Sequence, residues 1–174
     1  DATTRALQAL VGGPTLRVYA NADLVGVELC AAAKNVIALA AGVSDGLGYG
    51  DNAKAALLTR GLVEMTRLGG AFDADPRTFA GLAGLGDLVA TCCSRHSRNR
   101  KAGELLAQGV AADAIEGRIG MVAEGMTTAP VLLRVAQGRG LDMPVSERVV
   151  AVLAGEAPAD AVATLMARDP TAEY

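Results

Sequence analysis

A chain of 174 residues is the length of one domain, or of one domain with a small appendage. Hydrophobic residues make up 51% but aromatics only 3%, with no Trp, so the core has to be built from Ala, Leu, Val, Ile and Met. A net charge of −3 argues against a nucleic-acid binder, and three cysteines that cannot all pair (Cys30, Cys92 and Cys93) point to a reducing, cytosolic compartment.

The chain opens at Asp1 without a Met and without a leader-like charged and apolar run, which suggests a processed chain or a fragment. Residues 3–10 read as a short helix, closed by Gly12-Gly13-Pro14. Thr15 to Ala20 alternates like a strand and is the only good strand candidate; with no partner in the chain, its sheet belongs to another segment. Asn21 is the expected N-cap of a long helix over about 23–43. That helix is long enough to raise a transmembrane question, but Glu28, Lys34 and Asn35 make a soluble core helix the better fit. After the turn at 44–50, helices are expected over about 52–68, 76–79, 97–107, 111–116, 127–137, 146–153 and 158–166, with a short segment starting near Gly84. In the first of these helices Arg60, Glu64 and Arg67 fall among the polar positions. No tandem repeat or low-complexity linker interrupts this all-helical set.

Lys34 stands out because an ammonium within so apolar a helix must be paired, give up its proton, or snorkel to solvent. A lysine held in such surroundings suits acid–base work. Asp87, between Gly86 and an apolar run, either caps the helix that follows or meets Lys34, and the two can coexist. Ser97-Arg98-Asn99-Arg100-Lys101 has the chemistry of an anion site: a capped helix start with free N–H groups and a planar guanidinium fork. A solvated basic helix end is the alternative. The stretch Gly46-Leu47-Gly48-Tyr49-Gly50 fails as a dinucleotide fingerprint, because Asp51 occupies the third glycine position and a helix precedes it. Cys92, Cys93 and His96 match no zinc spacing, so no metal is expected, and His96 reads as a solvated loop residue.

Taken together, Ala33-Lys34-Asn35-Val36, Gly42-Val43-Ser44-Asp45-Gly46, Thr59-Arg60-Gly61, Gly84-Leu85-Gly86-Asp87, Ser97-Arg98-Asn99-Arg100, Val122-Ala123-Glu124-Gly125 and Met143-Pro144 resemble NAD(P)-dependent glycerol-3-phosphate dehydrogenase of the bacterial type. The resemblance runs in order over nearly the whole chain. It implies an all-α, multi-helix C-terminal dehydrogenase domain, 6-phosphogluconate dehydrogenase C-terminal-like, over residues 21–174. Residues 1–20 would be a remnant of a preceding Rossmann domain or a linker, including the short strand. That absent domain would bind most of the NAD or NADP.

The same resemblance implies interconversion of glycerol 3-phosphate and dihydroxyacetone phosphate for phospholipid precursor supply. Lys34 would be the acid/base and Asp87 its coupled, substrate-binding partner. Asn35, Thr91, Ser97, Arg98 and Asn99 would be substrate contacts, and Arg98, Val122 and Glu124 cofactor contacts. A cytoplasmic enzyme with no membrane span, compatible with a homodimer, is the expectation. Two other readings stay open: a non-catalytic helical oligomerisation module, and a related dehydrogenase domain for another phosphorylated hydroxy substrate.

Overall fold

The computed structural model describes residues 2–168, and all of its regular structure is helical. The elements in order are α1 (Ala2–Val11), α2 (Leu24–Gly46), α3 (Gly50–Gly70), α4 (Pro76–Ala80), a π-helical turn (Leu82–Gly86), α5 (Asp87–Cys93), α6 (Arg98–Ala107), α7 (Ala112–Ile119), α8 (Glu124–Gln137), α9 (Pro144–Leu153) and α10 (Pro158–Met166). Helix α2 is the axis. Cys30, Val36, Ile37, Ala38, Leu39 and Ala41 are all at or near zero exposure, and α3, α4, α5, α6, α8 and α9 pack around it. It is the one helix among the described residues long and apolar enough to cross a membrane. Its buried face against six other α-helices makes it the centre of the core instead.

Small residues let the helices approach closely. A Cβ on Gly42 of α2 would overlap the Arg100 carbonyl of α6, and a Cβ on Gly103 of α6 would overlap the Leu39 carbonyl of α2. The two glycines face each other's backbones and set the spacing of the pair. In the same way Gly69 of α3 leaves room for the Phe79 ring, the largest fully buried side chain.

The alternating segment Thr15–Ala20 is not a strand. It runs exposed and irregular, with a single antiparallel bridge between Gly13 and Leu16 (Gly13 N to Leu16 O, 2.9 Å). Period-two alternation gives a strand only when another strand supplies the ladder, and none among the described residues does. Helix α1 has no buried residue and touches this segment through Gln8 Nε2 donating to the Val18 carbonyl at 3.0 Å.

The N-cap of α2 also differs from the expectation at Asn21. Asp23 caps the helix by accepting from Gly26 N at 2.8 Å, and its second oxygen accepts from Asp75 N at 2.9 Å. Asn21 instead accepts from Asp23 N and donates to Thr78 Oγ1. Thus one carboxylate ties the start of α2 to the start of α4, which Asp75 caps in turn.

Glu64, expected among the polar positions of its helix, is 2% exposed. Helix α9 begins at Met143-Pro144 with no side-chain cap of its own, and Glu64 supplies one from α3. Its carboxylate accepts from Val145 N, from Ser146 N at 3.1 Å and from Ser146 Oγ at 2.8 Å. Burial raises the Glu64 pKa against the lowering effect of those hydrogen bonds. A raised folded-state value means that the stability linked to this group is present below its unfolded pKa and fades as pH rises through the folded one.

Two outcomes follow from this packing. Gly42→Ala should lower stability by about 1–3 kcal/mol in urea unfolding, because backbone on both sides leaves the methyl no space. Glu64→Gln keeps an acceptor but removes the charge, so wild type should lose stability relative to Glu64→Gln as pH rises through the acidic range. Parallel pH dependences of the two proteins would remove Glu64 from the account.

Candidate active site

One cleft, about 520 Å³, gathers residues from α2, α5, the loop before α6, and the starts of α6 and α8. Lys34 and Asn35 occupy consecutive positions of α2. The Lys34 side chain is 19% exposed and its Nζ is ion-paired with Asp87 Oδ2. Asp87 is the first residue of α5, where Gly86 is the cap position. Its carboxylate points at Lys34 rather than capping its own helix. Thr91, one turn on, donates its hydroxyl to the Asp87 carbonyl at 2.6 Å and lies 3.3 Å from Oδ1.

The opposite wall is the start of α6. Ser97 is its N-cap and accepts from Arg100 N at 3.2 Å. The cap satisfies the third N–H of the first turn and leaves those of Arg98 and Asn99 directed out of the helix end, where the dipole favours an anion. The Arg98 guanidinium, 44% exposed, stands 4.0 Å from Glu124 Oε1 at the rim. Of the rest of the basic run, Lys101 is exposed but Arg100 is not solvated: Arg100 Nε donates to Asp45 Oδ2 at 2.5 Å and its Nη2 lies 3.0 Å from Glu104, while Lys54 pairs with Asp45 Oδ1 at 2.7 Å. Burial alone would raise the Asp45 pKa, but Lys54 and Arg100 outweigh it and hold the carboxyl below its ordinary value. This cluster clamps the first turn of α6 to the end of α2.

Inside the cleft the amides form a chain. Gly125 N donates to Asn99 Oδ1 at 2.8 Å, Asn99 Nδ2 donates to Asn35 Oδ1 at 2.9 Å, and Asn35 Nδ2 lies 3.1 Å from the Ala31 carbonyl and 3.4 Å from Glu124 Oε2.

Residues 23–164 match the family described as NAD-dependent glycerol-3-phosphate dehydrogenase C-terminus. The chain belongs to this family. It is 57% identical over 168 residues to a glycerol-3-phosphate dehydrogenase (NAD(P)+) of Geobacter metallireducens, covering 96% of this chain and 50% of that protein. With the same-named protein of a Parafrankia species it shares 53% identity over 174 residues, 99% of this chain and 52% of the relative. The crystal structure of the Coxiella burnetii glycerol-3-phosphate dehydrogenase superposes with a TM-score of 0.92 at 42% identity, covering 96% of this chain and 52% of that one. The Saccharomyces cerevisiae enzyme gives 0.86 at 31%, over 95% and 48%. The chain therefore spans about half the length of the relatives it matches.

As a member of this C-terminal family, the chain brings Lys34, Asn35, Thr91, Ser97, Arg98, Asn99 and Glu124 together on one cleft, with Asp87 joined to it through Lys34. Val122 is not on the cleft wall; it is 52% exposed, two residues before Glu124 and next to the equally exposed Met121. Sequence reasoning missed three features. His96 is an exposed loop residue as expected, but it also lines the cleft, as does Ser94. Gly125 contributes its backbone N–H, and a Cβ there would lie 2.5 Å from the Asn35 carbonyl oxygen. The signals were the adjacency of His96 to Ser97 and the Glu124-Gly125 step at a helix start. Burial pushes the Cys92 thiol up to about 12 and the Cys30 thiol up to about 11, so neither offers a thiolate near neutrality.

Proposed function

We propose that this chain is the C-terminal, substrate-binding half of an NAD(P)-dependent glycerol-3-phosphate dehydrogenase, with residues 21–174 as the helical domain and 1–20 as the lead from a nucleotide-binding domain. The carrying observation is the Lys34–Asp87 ion pair on one wall of a cleft whose other wall is the start of α6. A three-carbon phosphate fits that arrangement, with the phosphate on the Arg98 and Asn99 N–H groups and the Arg98 fork. Its C2 oxygen would then face Lys34.

In the oxidative direction Lys34 Nζ first releases its own proton to solvent and, as the neutral amine, takes the proton of the C2 hydroxyl; in the reductive direction the ammonium gives a proton to the C2 oxygen. Asp87 orients the ammonium and offsets its charge, and Thr91 steadies Asp87 from one turn away. The nicotinamide cofactor, when bound, supplies the hydride acceptor at C2. This chain offers that group only an edge, and the residues present fit one. Arg98 and Glu124 provide a cation and an acceptor at the open rim, with Met121 and Val122 exposed beside them. The relatives, twice as long, support a separate nucleotide-binding half. Three free cysteines support a reducing, cytoplasmic setting for the enzyme.

An oligomerisation module would have no use for a paired lysine facing an anion-suited helix start, so the catalytic reading is preferred. In the full-length enzyme Lys34→Ala should lower kcat by roughly 10²–10⁴-fold while thermal melting stays unchanged. Retention of near-wild-type kcat would remove Lys34 from the chemistry.

Arg98→Lys keeps the charge and loses the planar fork, so KM for glycerol 3-phosphate should rise, by roughly tenfold if one charged hydrogen bond is lost. Steady-state kinetics with substrate and cofactor varied separately checks this. An unchanged KM for both would reduce the α6 start to a helix end without a ligand.

A further inference from the structure

Asn99 lies in the wall assigned above to the phosphate, yet both ends of its side-chain amide are already engaged. It is 7% exposed, with Oδ1 accepting from Gly125 N and Nδ2 donating to Asn35 Oδ1. The direction of this chain is fixed from both ends. At one end a backbone N–H can only donate. At the other, Asn35 Nδ2 meets two groups that can only accept, the Ala31 carbonyl and the Glu124 carboxylate. Neither amide can flip without setting oxygen against oxygen. Helix α8 also lacks a side-chain cap of its own at Ala123, so Asn99 supplies the cap from α6.

We propose that Asn99 is a positioning residue whose side chain acts through Asn35 on Glu124, so that the substrate wall at α6 and the cofactor rim at α8 are held by one directional hydrogen-bond relay. This rests on the reading of the cleft as a substrate and cofactor site. Its consequence is that cofactor affinity depends on the amide chemistry of a residue that does not touch the cofactor. Glu124 is the far end of the relay, and its other oxygen faces Arg98 at 4.0 Å, so losing the relay loosens both rim groups.

The test uses Asn99→Asp, Glu124→Gln and the double variant in the full-length enzyme. Binding of the reduced nicotinamide cofactor is read by fluorescence titration without substrate, and folding by thermal melting. Asp at 99 still accepts from Gly125 N, but its second oxygen opposes Asn35 Oδ1. The Asn35 amide must then turn over and present its carbonyl to Glu124. Asn99→Asp should therefore weaken cofactor binding about tenfold. Adding Glu124→Gln supplies an amide donor to the reversed Asn35 carbonyl, so the double variant should bind no more weakly than Asn99→Asp alone.

Losses that multiply in the double variant would overturn the relay. So would a loss in Glu124→Gln with none in Asn99→Asp, which leaves the cofactor rim intact and denies the coupling. Unchanged affinity in all three variants overturns the relay and the assignment of Glu124 together, while the Lys34→Ala result still stands for the substrate site. If Asn99→Asp does not fold, Asn35→Asp takes its place. That change sets an oxygen directly against Glu124, and failure of Glu124→Gln to restore binding there is equally decisive against the relay.

Discussion

The close approach of α2 and α6 is the constraint on which the rest depends. Gly42 and Gly103 each face the other helix's backbone, so the spacing is fixed by main chain against main chain. Toward the start of α6 the same pair is joined by the Asn35–Asn99 hydrogen bond and by the Asp45 clamp on Arg100. Lys34 and Asn35 are on one of these helices, and Ser97, Arg98 and Asn99 begin the other. A cleft with a paired lysine on one side and a helix N-terminus on the other is what this contact creates. A looser pair, separated by ordinary side chains, would set the two walls too far apart to share a three-carbon substrate.

Two helices in the domain lack caps of their own and receive them from elsewhere. Glu64 of α3 caps α9, and Asn99 of α6 caps α8. Each arrangement satisfies orphan N–H groups that a local Ser or Asp would ordinarily take. Each also locks one helix end to a residue distant in sequence, so that helix placement and hydrogen-bond satisfaction become one condition. At α8 the borrowed cap lies at the edge of the cleft, which gives a packing device a direct bearing on ligand geometry.

Much of the helical pattern was legible in the sequence because apolar periodicity and breakers such as Gly69-Gly70 and Asp75-Pro76 are local signals. The Ser97 cap and the extent of α10 needed nothing beyond neighbouring residues. What escaped was non-local. Thr15–Ala20 carries the alternation of a strand, but a ladder depends on a partner that alternation cannot reveal. Asn21 and Asp23 are both good caps by type, and the choice fell to Asp23, whose carboxylate also reaches Asp75 N, 52 residues away. Glu64 sits among helical polar positions and is buried because Val145 and Ser146 come to it from α9. The relay through Asn35 and Asn99 joins residues 64 and 26 apart, and no spacing in the sequence announces it.

The cleft joins two kinds of chemistry that the domain keeps close together: a proton-carrying lysine oriented by a carboxylate, and a helix start suited to an anion. The central claim is that one substrate spans both. It is tested most directly by a crystal structure of the full-length enzyme with dihydroxyacetone phosphate and the oxidised cofactor. We expect the C2 oxygen about 3 Å from Lys34 Nζ, and the phosphate on the N–H groups of Arg98 and Asn99. A complex with the phosphate away from the start of α6, or with Lys34 bound only to Asp87 and out of reach of C2, would contradict it.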